Sequence, residues 1–279
     1  MNLVRKLLDS KAGARLRGTA SHNAAPDWQH RGVRFGAGLS ATQAAEGPQP
    51  AGDLESYFDE HTEGLGIWKW RHYFPVYERH LERFRHRPVR VLEIGVFSGG
   101  SLEMWRSYFG TNATILGVDI DEACLAYAGP GIEIAIGDQS DPTFWAAVLA
   151  DRPPFDIVID DGGHQTDQQV ATIEALLPNM APGGVYICED VHHEQNGFAA
   201  YVAGLARNLH AMPAIEPGGR LRVAASSFQK AVGSIHIYPY LIVVERQDHG
   251  LDELGASMHG TDWNLPDGWP GADSAPNSR

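Results

Sequence analysis

Residues 91–105 read VLEIGVFSGGSLEMW. An apolar run stops at Gly95, two more glycines follow at Gly99 and Gly100, and apolar residues then recur at helical spacing. That is a strand, a glycine-rich turn and a helix in immediate succession. Working outward, the unit repeats. Further strand candidates are TILGVD (114–119), IEIAI (132–136), FDIVID (155–160) and GVYICE (184–189), after the first at VRVLEI (89–94). They are almost wholly apolar, as strands covered by helices on both faces must be. Helix candidates at 99–109, 121–128, 141–150, 165–180 and 196–209 lie between or after them. GSIHIY (233–238) and LIVVER (241–246), separated by Pro239-Tyr240, predict a closing hairpin. The pattern predicts an α/β fold: a Rossmann-like, doubly wound, mostly parallel sheet ending in an antiparallel hairpin.

The flanks differ in character. Residues 1–52 are rich in Ala, Gly and Arg without sustained periodicity, and predict a poorly ordered or helical tail. Residues 247–279, acidic and full of Pro, Gly, Ser and Asn, predict a second loose tail. The central domain then spans 53–246, opening with IWKWRHYFPVYERHLERFRH (67–86) as one or two aromatic-rich helices. With 279 residues, 43% of them hydrophobic, the chain can bury a proper core. A formal net charge of -13 argues against nucleic acid as a partner and suits a small-molecule substrate. No apolar run approaches the ~20 residues of a membrane helix, and the first residues, MNLVRKLLDSKAGARLRG, are too interrupted for a secretory signal. Cys124 and Cys188 form neither a metal spacing nor a disulfide framework, which predicts a reducing cytoplasm.

In doubly wound sheets ligands sit beyond the carboxyl ends of the strands, so strand-terminal residues carry the functional information. Glu93, Gly95 and Ser101 surround the first turn, which is neither GxGxxG nor a P-loop. An acid before the first glycine suits a cationic ligand better than a diphosphate, and S-adenosylmethionine is such a ligand. Asp119, followed by Ile120, ends the second strand where a carboxylate can accept ribose hydroxyls; Asp138 and Gln139 follow the third, within reach of an adenine edge. Each also fits a plainer role as cap or turn former, but three successive strand ends together point to this cofactor.

The fourth strand leaves through IDDGGH (159–164), and the fifth ends in Glu189-Asp190 followed by Val191, His192 and His193. These strands should be neighbours, so Asp161, Glu189 and Asp190 can converge. Three carboxylates repel unless a cation intervenes. All-oxygen ligands favour Mg²⁺, with Mn²⁺ or Ca²⁺ as alternatives. Such an ion lowers a hydroxyl's pKa, and His164, with an unperturbed pKa of about 6.5, is the leading base to remove the proton. Gly162 and Gly163 would let the chain fold back to aim the imidazole. His192 and His193 are rival bases, and Asp160 is assigned to the methionine end of the cofactor pocket or to capping the next helix.

Taken together, VLEIGVFSGGSLEMW, GVDI, GDQSD, IDDGGH and GGVYICEDVHH resemble the metal-dependent class I sugar O-methyltransferases of macrolide biosynthesis, of the mycinamicin and tylosin types, and their cephalosporin-hydroxylase-like relatives. The likeness runs over roughly residues 55–245. It implies a class I methyltransferase fold, S-adenosylmethionine and Mg²⁺ (or Mn²⁺) as cofactors, and a hydroxyl of a glycosylated small molecule as acceptor. It implies metal-ligand positions at Asp161, Glu189 and Asp190, the general base at His164, and cofactor positions at Glu93, Gly95, Asp119, Asp138 and Gln139; Ser101, Ile120 and Asp160, at the same strand ends, are further cofactor-binding candidates. Lys69, His72 and Tyr73 match a family segment that folds over the cofactor, in an unusually Trp-rich context; most of Trp68, Trp70, Phe74 and Tyr77 is expected to pack on the sheet. The resemblance further implies a homo-oligomer; as a departure from it, 279 residues are expected to leave no room for the large extra N-terminal domain of the mycinamicin type. Rival readings are a catechol-like acceptor, a non-catalytic cofactor-fold binding protein, and a dehydrogenase that the missing GxGxxG disfavours.

Overall fold

The computed structural model describes residues 27–39, 51–192, 196–211, 221–256 and 259. These fall into two compact units, one made of the described residues within 51–211 and 225–252 and the other of 27–39, 221–224, 253–256 and 259.

The larger unit is built on a seven-stranded sheet. Its strands are β1 (Val89–Ile94), β2 (Ala113–Asp119), β3 (Ile132–Ile136), β4 (Ile157–Asp160), β5 (Val185–Cys188), β7 (Val232–Tyr238) and β8 (Leu241–Arg246). The order is β3-β2-β1-β4-β5-β8-β7. β1 to β5 pair in parallel, and β8 joins antiparallel to both β5 and β7. The strand order reverses between β1 and β4, and that switch point is where a doubly wound sheet leaves a crevice.

Alternate residues of each strand face opposite sides, and each side carries its own core. On one, Val91, Ile115, Ile159, Ile187 and Val243 meet the helices α3 (Phe74–Leu81) and α4 (Gly100–Phe109) through Tyr77, Leu81, Trp105 and Phe109. On the other, Leu92, Val118, Val158, Tyr186 and Val244 meet α5 (Pro142–Leu149), α6 (Thr166–Leu176) and α7 (Phe198–Leu209) through Trp145, Ile173 and Phe198. Each of these fully buried side chains contributes roughly 1.5–3 kcal/mol. The expected doubly wound fold with its antiparallel hairpin is the one observed.

Details differ for local reasons. The helix expected over 121–128 is a short 3₁₀ segment, Glu122–Tyr127, closed off by the Gly129-Pro130-Gly131 run. The 165–180 helix stops being α at Leu176, because Pro178 cannot donate to it, and ends in a 3₁₀ turn, Leu177–Asn179. Residues 67–70 are not helical; 3₁₀ turns at Arg71–Tyr73 and Glu82–Phe84 flank α3. A helix unforeseen in the sequence, α2 (Asp53–Glu60), precedes them, its Leu54 amide bonded to Glu78 Oε1. A short α8 (Ser227–Ala231) leads into β7.

In the smaller unit, α1 (Trp28–Ala37) is capped by Asp27 and buries none of its residues. There β6 (Leu221–Ala224) pairs antiparallel with β9 (Glu253–Ala256), a strand pair the sequence did not announce.

Candidate functional site

The crevice at the β1/β4 switch opens into a cavity of about 650 Å³, a size suited to a cofactor or drug-sized ligand. Gly95, Asp119, Ile120, Asp138, Gln139, Asp161, His164 and Asp190 line it, together with the segment 66–70 and Phe97, Ser101, Gln168, Glu189 and His192. The structure therefore gathers at one place most of the residues singled out along the sequence.

At the β1 end, Gly95 has φ +88°, and a Cβ there would lie 2.0 Å from the Asp161 carbonyl oxygen. Only glycine permits so close an approach of the β1 and β4 loops. Asp119 accepts from the amides of Val96 and Phe97 at 2.9 and 3.0 Å, and from that of Asp121 at 3.0 Å. Partial burial pulls its pKa up, and these backbone donors overcome that and hold it below the ordinary carboxylate value. It thus braces the turn while bordering the cavity. Asp138, exposed, accepts from the Ser140 amide and hydroxyl and keeps an edge toward the cavity.

Three expected cofactor contacts do something else. Glu93 is fully buried and is not part of the cavity wall; its oxygens accept from Ser101 Oγ at 2.9 Å and Trp105 Nε1 at 3.0 Å. Burial raises its pKa, against the nearby Lys69 and these donors. Asp160 is likewise buried behind the wall, accepting from Tyr186 OH at 2.8 Å and Gln139 Nε2 at 3.0 Å, and burial pushes its pKa up to about 6. Gln139 reaches the wall, but its amide nitrogen also donates to Thr172 and its oxygen accepts from the Gly163 amide at 2.7 Å. Its side chain clips the β4 loop in place instead of offering a free edge to adenine. The same contact explains Gly162, whose Cβ would lie 2.1 Å from Gln139 Oε1, while a Cβ on Gly163 would lie 2.1 Å from Gln168 Oε1. The sharp reversal itself falls to His164, at φ 55°.

The acidic group is assembled from the two strand ends and the 67–73 segment. Ligand atoms of Asp161, His164 and Asp190 lie within 4.8 Å of one another. His164 Nε2 is 3.8 Å from Asp190 Oδ2, and its buried Nδ1 has no hydrogen-bond partner among the described residues. Of the expected trio, Asp161 and Asp190 belong to this group, and Glu189 borders the same cavity beside them. Glu189, fully buried, has turned its carboxylate to Tyr77 OH at 2.6 Å and to Lys69 Nζ at 3.1 and 3.2 Å. Burial raises its pKa first, the Asp161 charge adds to that, and Lys69 and Tyr77 oppose it. Lys69 Nζ also reaches Asp161 Oδ2 at 2.5 Å. Burial disfavours the ammonium, but Asp161, Glu189 and Glu93 outweigh that and push the lysine's pKa up.

Asp190 Oδ1 accepts from Trp70 Nε1 at 2.8 Å. The Tyr73 hydroxyl accepts from the Asp190 amide at 3.2 Å and lies 2.9 Å from Asp190 Oδ1. Tyr73 is therefore a support beneath Asp190 and not part of the cavity wall. His72 Nε2 donates to the Pro239 carbonyl at 3.0 Å, tying the segment to the β7–β8 turn. His192 lines the cavity, its ring tilted at 57° to that of Tyr240 with centroids 4.8 Å apart; His193 lies outside the described residues. The sequence reading missed two braces: Gln169 Nε2 holds the Glu189 carbonyl, and Asn196 Nδ2 holds the His164 carbonyl. It also expected most of the aromatic cluster to pack on the sheet, whereas Trp70 is 48% exposed and donates to Asp190, and Tyr77, fully buried, donates to Glu189, as a buried tyrosine O–H requires a polar partner.

His164 and Asp190, at φ 55° and 54°, are both in the left-handed region that side chains rarely adopt, and both flank the acidic group. The carboxylates of Asp161 and Asp190 fit a hard divalent ion such as Mg²⁺ or Mn²⁺, with the His164 imidazole, whose Nδ1 has no partner among the described residues, beside them.

Residues 92–191 match the family model described as a methyltransferase domain. The 8-demethyl-8-(2-methoxy-alpha-L-rhamnosyl)-tetracenomycin-C 3'-O-methyltransferase of Streptomyces olivaceus is 40% identical over 154 residues, 50% of this chain and 37% of its own. The mycinamicin VI 2''-O-methyltransferase of Micromonospora griseorubida is 39% identical over 138 residues, 47% and 33% of the two chains. Among solved structures, the MycE methyltransferase of the mycinamycin biosynthetic pathway, in complex with Mg, SAH and mycinamycin VI, superposes with a TM-score of 0.56 at 29% identity, over 70% of this chain and 53% of that one. The chain spans roughly a third to a half of the length of the curated relatives it matches.

Proposed function

We propose that this chain, which carries a methyltransferase domain of the class I Rossmann-like type over residues 92–191, is an S-adenosylmethionine- and Mg²⁺-dependent O-methyltransferase. Its acceptor is a hydroxyl of a glycosylated small molecule of secondary metabolism, as in antibiotic biosynthesis. One observation carries the reading: a single cavity joins the glycine-rich β1 turn, Asp119 and Asp138 to the Asp161–His164–Asp190 group. Donor cofactor and acceptor hydroxyl can therefore meet in one enclosure, in a chain whose relatives are named as O-methyltransferases, one of them of a rhamnosyl tetracenomycin.

S-adenosylmethionine would lie along the β1–β3 ends, with Gly95 giving the backbone clearance and Asp119, Ile120 and Asp138 bordering its nucleoside. Asp161 and Asp190 would hold the divalent ion, which when bound supplies positive charge that orients an acceptor diol and acidifies one hydroxyl. His164 takes the proton from that hydroxyl; its side chain faces the cavity and its Nε2 is not hydrogen-bonded to Asp190 at 3.8 Å. Gln139, Asn196 and the Tyr73 hydroxyl keep the β4 and β5 loops in the geometry this requires. Much of the rate would come from holding oxygen, methyl and sulfur in line. Trp68 and Trp70, exposed at the rim, offer flat apolar faces to the acceptor.

No helix among the described residues is long and apolar enough to cross a membrane. Free, buried Cys124 and Cys188 fit a cytoplasmic enzyme, and homo-oligomerisation is the expected state, checked by light scattering.

The test is methyl transfer from labelled S-adenosylmethionine to a panel of glycosylated metabolites, run with EDTA and with EDTA followed by excess Mg²⁺. Turnover that falls with chelation and returns with Mg²⁺ supports the reading. Turnover indifferent to EDTA removes the metal from it, and binding of NAD in preference to S-adenosylmethionine removes the reading altogether.

A further inference from the structure

The Lys69 side chain is 2% exposed, and its ammonium is surrounded by acids from three strand ends: Asp161 Oδ2 at 2.5 Å, Glu189 Oε2 at 3.1 Å and Glu93 Oε1 at 3.7 Å. These acids are not equivalent. Glu93, buried behind the wall, spends its oxygens on Ser101 and Trp105, and Glu189, buried in the wall, shares Oε1 with Tyr77, so both are held in place. Asp161 is 20% exposed, borders the cavity and belongs to the group with His164 and Asp190. Its carboxylate faces two ways, toward a buried cation of the chain itself and toward the place where a divalent ion would be held.

We propose that Lys69 is a tethered counter-ion that competes with the divalent cation for Asp161 and thereby sets how tightly that cation binds. This rests on the metal-dependent reading above. Without the ion, Lys69 keeps three clustered acids compatible with a folded site; when the ion arrives, Asp161 turns toward it and the ammonium is left with Glu189 and Glu93. Three acids (Glu93, Asp161 and Glu189) face the ammonium and Asp190 adds a fourth carboxylate on the far side of Asp161, so a divalent ion brings the positive charges to three against four acidic groups. The site is nearer to electrical balance with both cations than with either alone, so Lys69 persists in the loaded protein instead of being replaced.

Calorimetric titration of Mn²⁺ into the wild-type chain and into Lys69→Met tests this without any turnover. The expected result is an affinity at least tenfold tighter in Lys69→Met, with Mn²⁺ raising the melting temperature of the variant more than that of the wild type. Equal or weaker Mn²⁺ affinity in the variant overturns the competition while leaving the metal reading intact. Absence of Mn²⁺ binding in both proteins overturns the metal reading and this inference with it. The wild type provides a second measurement that does not depend on the variant folding. In lysine ¹⁵Nζ NMR, the slowly exchanging signal of the one deeply buried ammonium in this site should move with Mg²⁺ and saturate at the calorimetric Kd. A signal unmoved at saturating Mg²⁺ overturns the proposal.

Discussion

His164 Nε2 stands 3.8 Å from Asp190 Oδ2, close enough to feel the carboxylate and too far to be hydrogen-bonded to it. Asn196 fixes the His164 main chain through its carbonyl, and the imidazole itself is left free. A base needs that freedom. His164→Ala should lower kcat by roughly 10²- to 10⁴-fold, the usual contribution of a general base, with S-adenosylmethionine affinity within about twofold of wild type. Calorimetry with Mn²⁺ separates this role from that of a ligand. If the imidazole is chiefly a metal ligand, Mn²⁺ binding will weaken in the variant as much as turnover does.

Asp190 is held by the 67–73 segment, and that dependence can be measured. Tyr73→Phe removes the oxygen that accepts the Asp190 amide, leaving a partly buried N–H without its partner. The cost should be about 1–3 kcal/mol in urea unfolding. Trp70→Phe removes a donor at the exposed edge and should cost under about 1 kcal/mol, since water can replace it. Both should raise the Mn²⁺ concentration needed for half-saturation. A Tyr73→Phe protein as stable as wild type, with unaltered Mn²⁺ binding, would show that the hydroxyl supports nothing.

Much of this site could be seen in the chain before its structure. Apolar runs with acids at their ends identified the parallel strands, and because carboxyl ends of adjacent parallel strands coincide, Asp119, Asp161 and Asp190 had to share one edge. What could not be seen is which acid finds which partner. Lys69 meets Asp161 and Glu189 across 92 and 120 residues of sequence, and no local pattern encodes that choice. Glu93, Gln139 and Asp160 show the related limit: an acid or amide at a strand end looks equally suited to a ligand or to a neighbouring loop, and burial decides. Local chemistry also misleads over short elements, as at Glu122–Tyr127, where a capping Asp121 starts a helix that the following glycines do not let continue.

Gly95 supplies a prediction about the backbone. Replacing it with alanine puts a methyl group 2.0 Å from the Asp161 carbonyl, at a φ of +88° that alanine resists. Neither atom belongs to a flexible side chain, so the β1 and β4 loops must separate. Gly95→Ala should cost more than about 2 kcal/mol of stability and weaken S-adenosylmethionine binding by well over tenfold. Unchanged unfolding midpoint and cofactor affinity would mean that the two loops are not packed as described.

Glu245 makes a pH-dependent contribution far from the cavity chemistry, on the face of β8 that receives α3. His80 Nδ1 lies 2.9 Å from its Oε1, Arg83 Nη1 3.1 Å from the same oxygen, and Ser234 donates to Oε2 at 3.0 Å; His236 lies 3.8 Å away. The bond from His80 first, then those from Ser234 and the Arg83 charge, outweigh burial and lower the Glu245 pKa to about 2. A carboxylate depressed in the folded state adds stability above its unfolded pKa, about 4.3, and loses it as pH falls toward the folded value. Glu245→Gln should therefore destabilise the protein by about 1–2 kcal/mol at pH 7, allowing for its partial exposure. The gap from wild type should narrow between about pH 4.3 and 2, read from urea midpoints at each pH. A gap that stays constant down to the lowest pH at which the chain folds would show that the ionised carboxylate is not what fastens α3 to the hairpin.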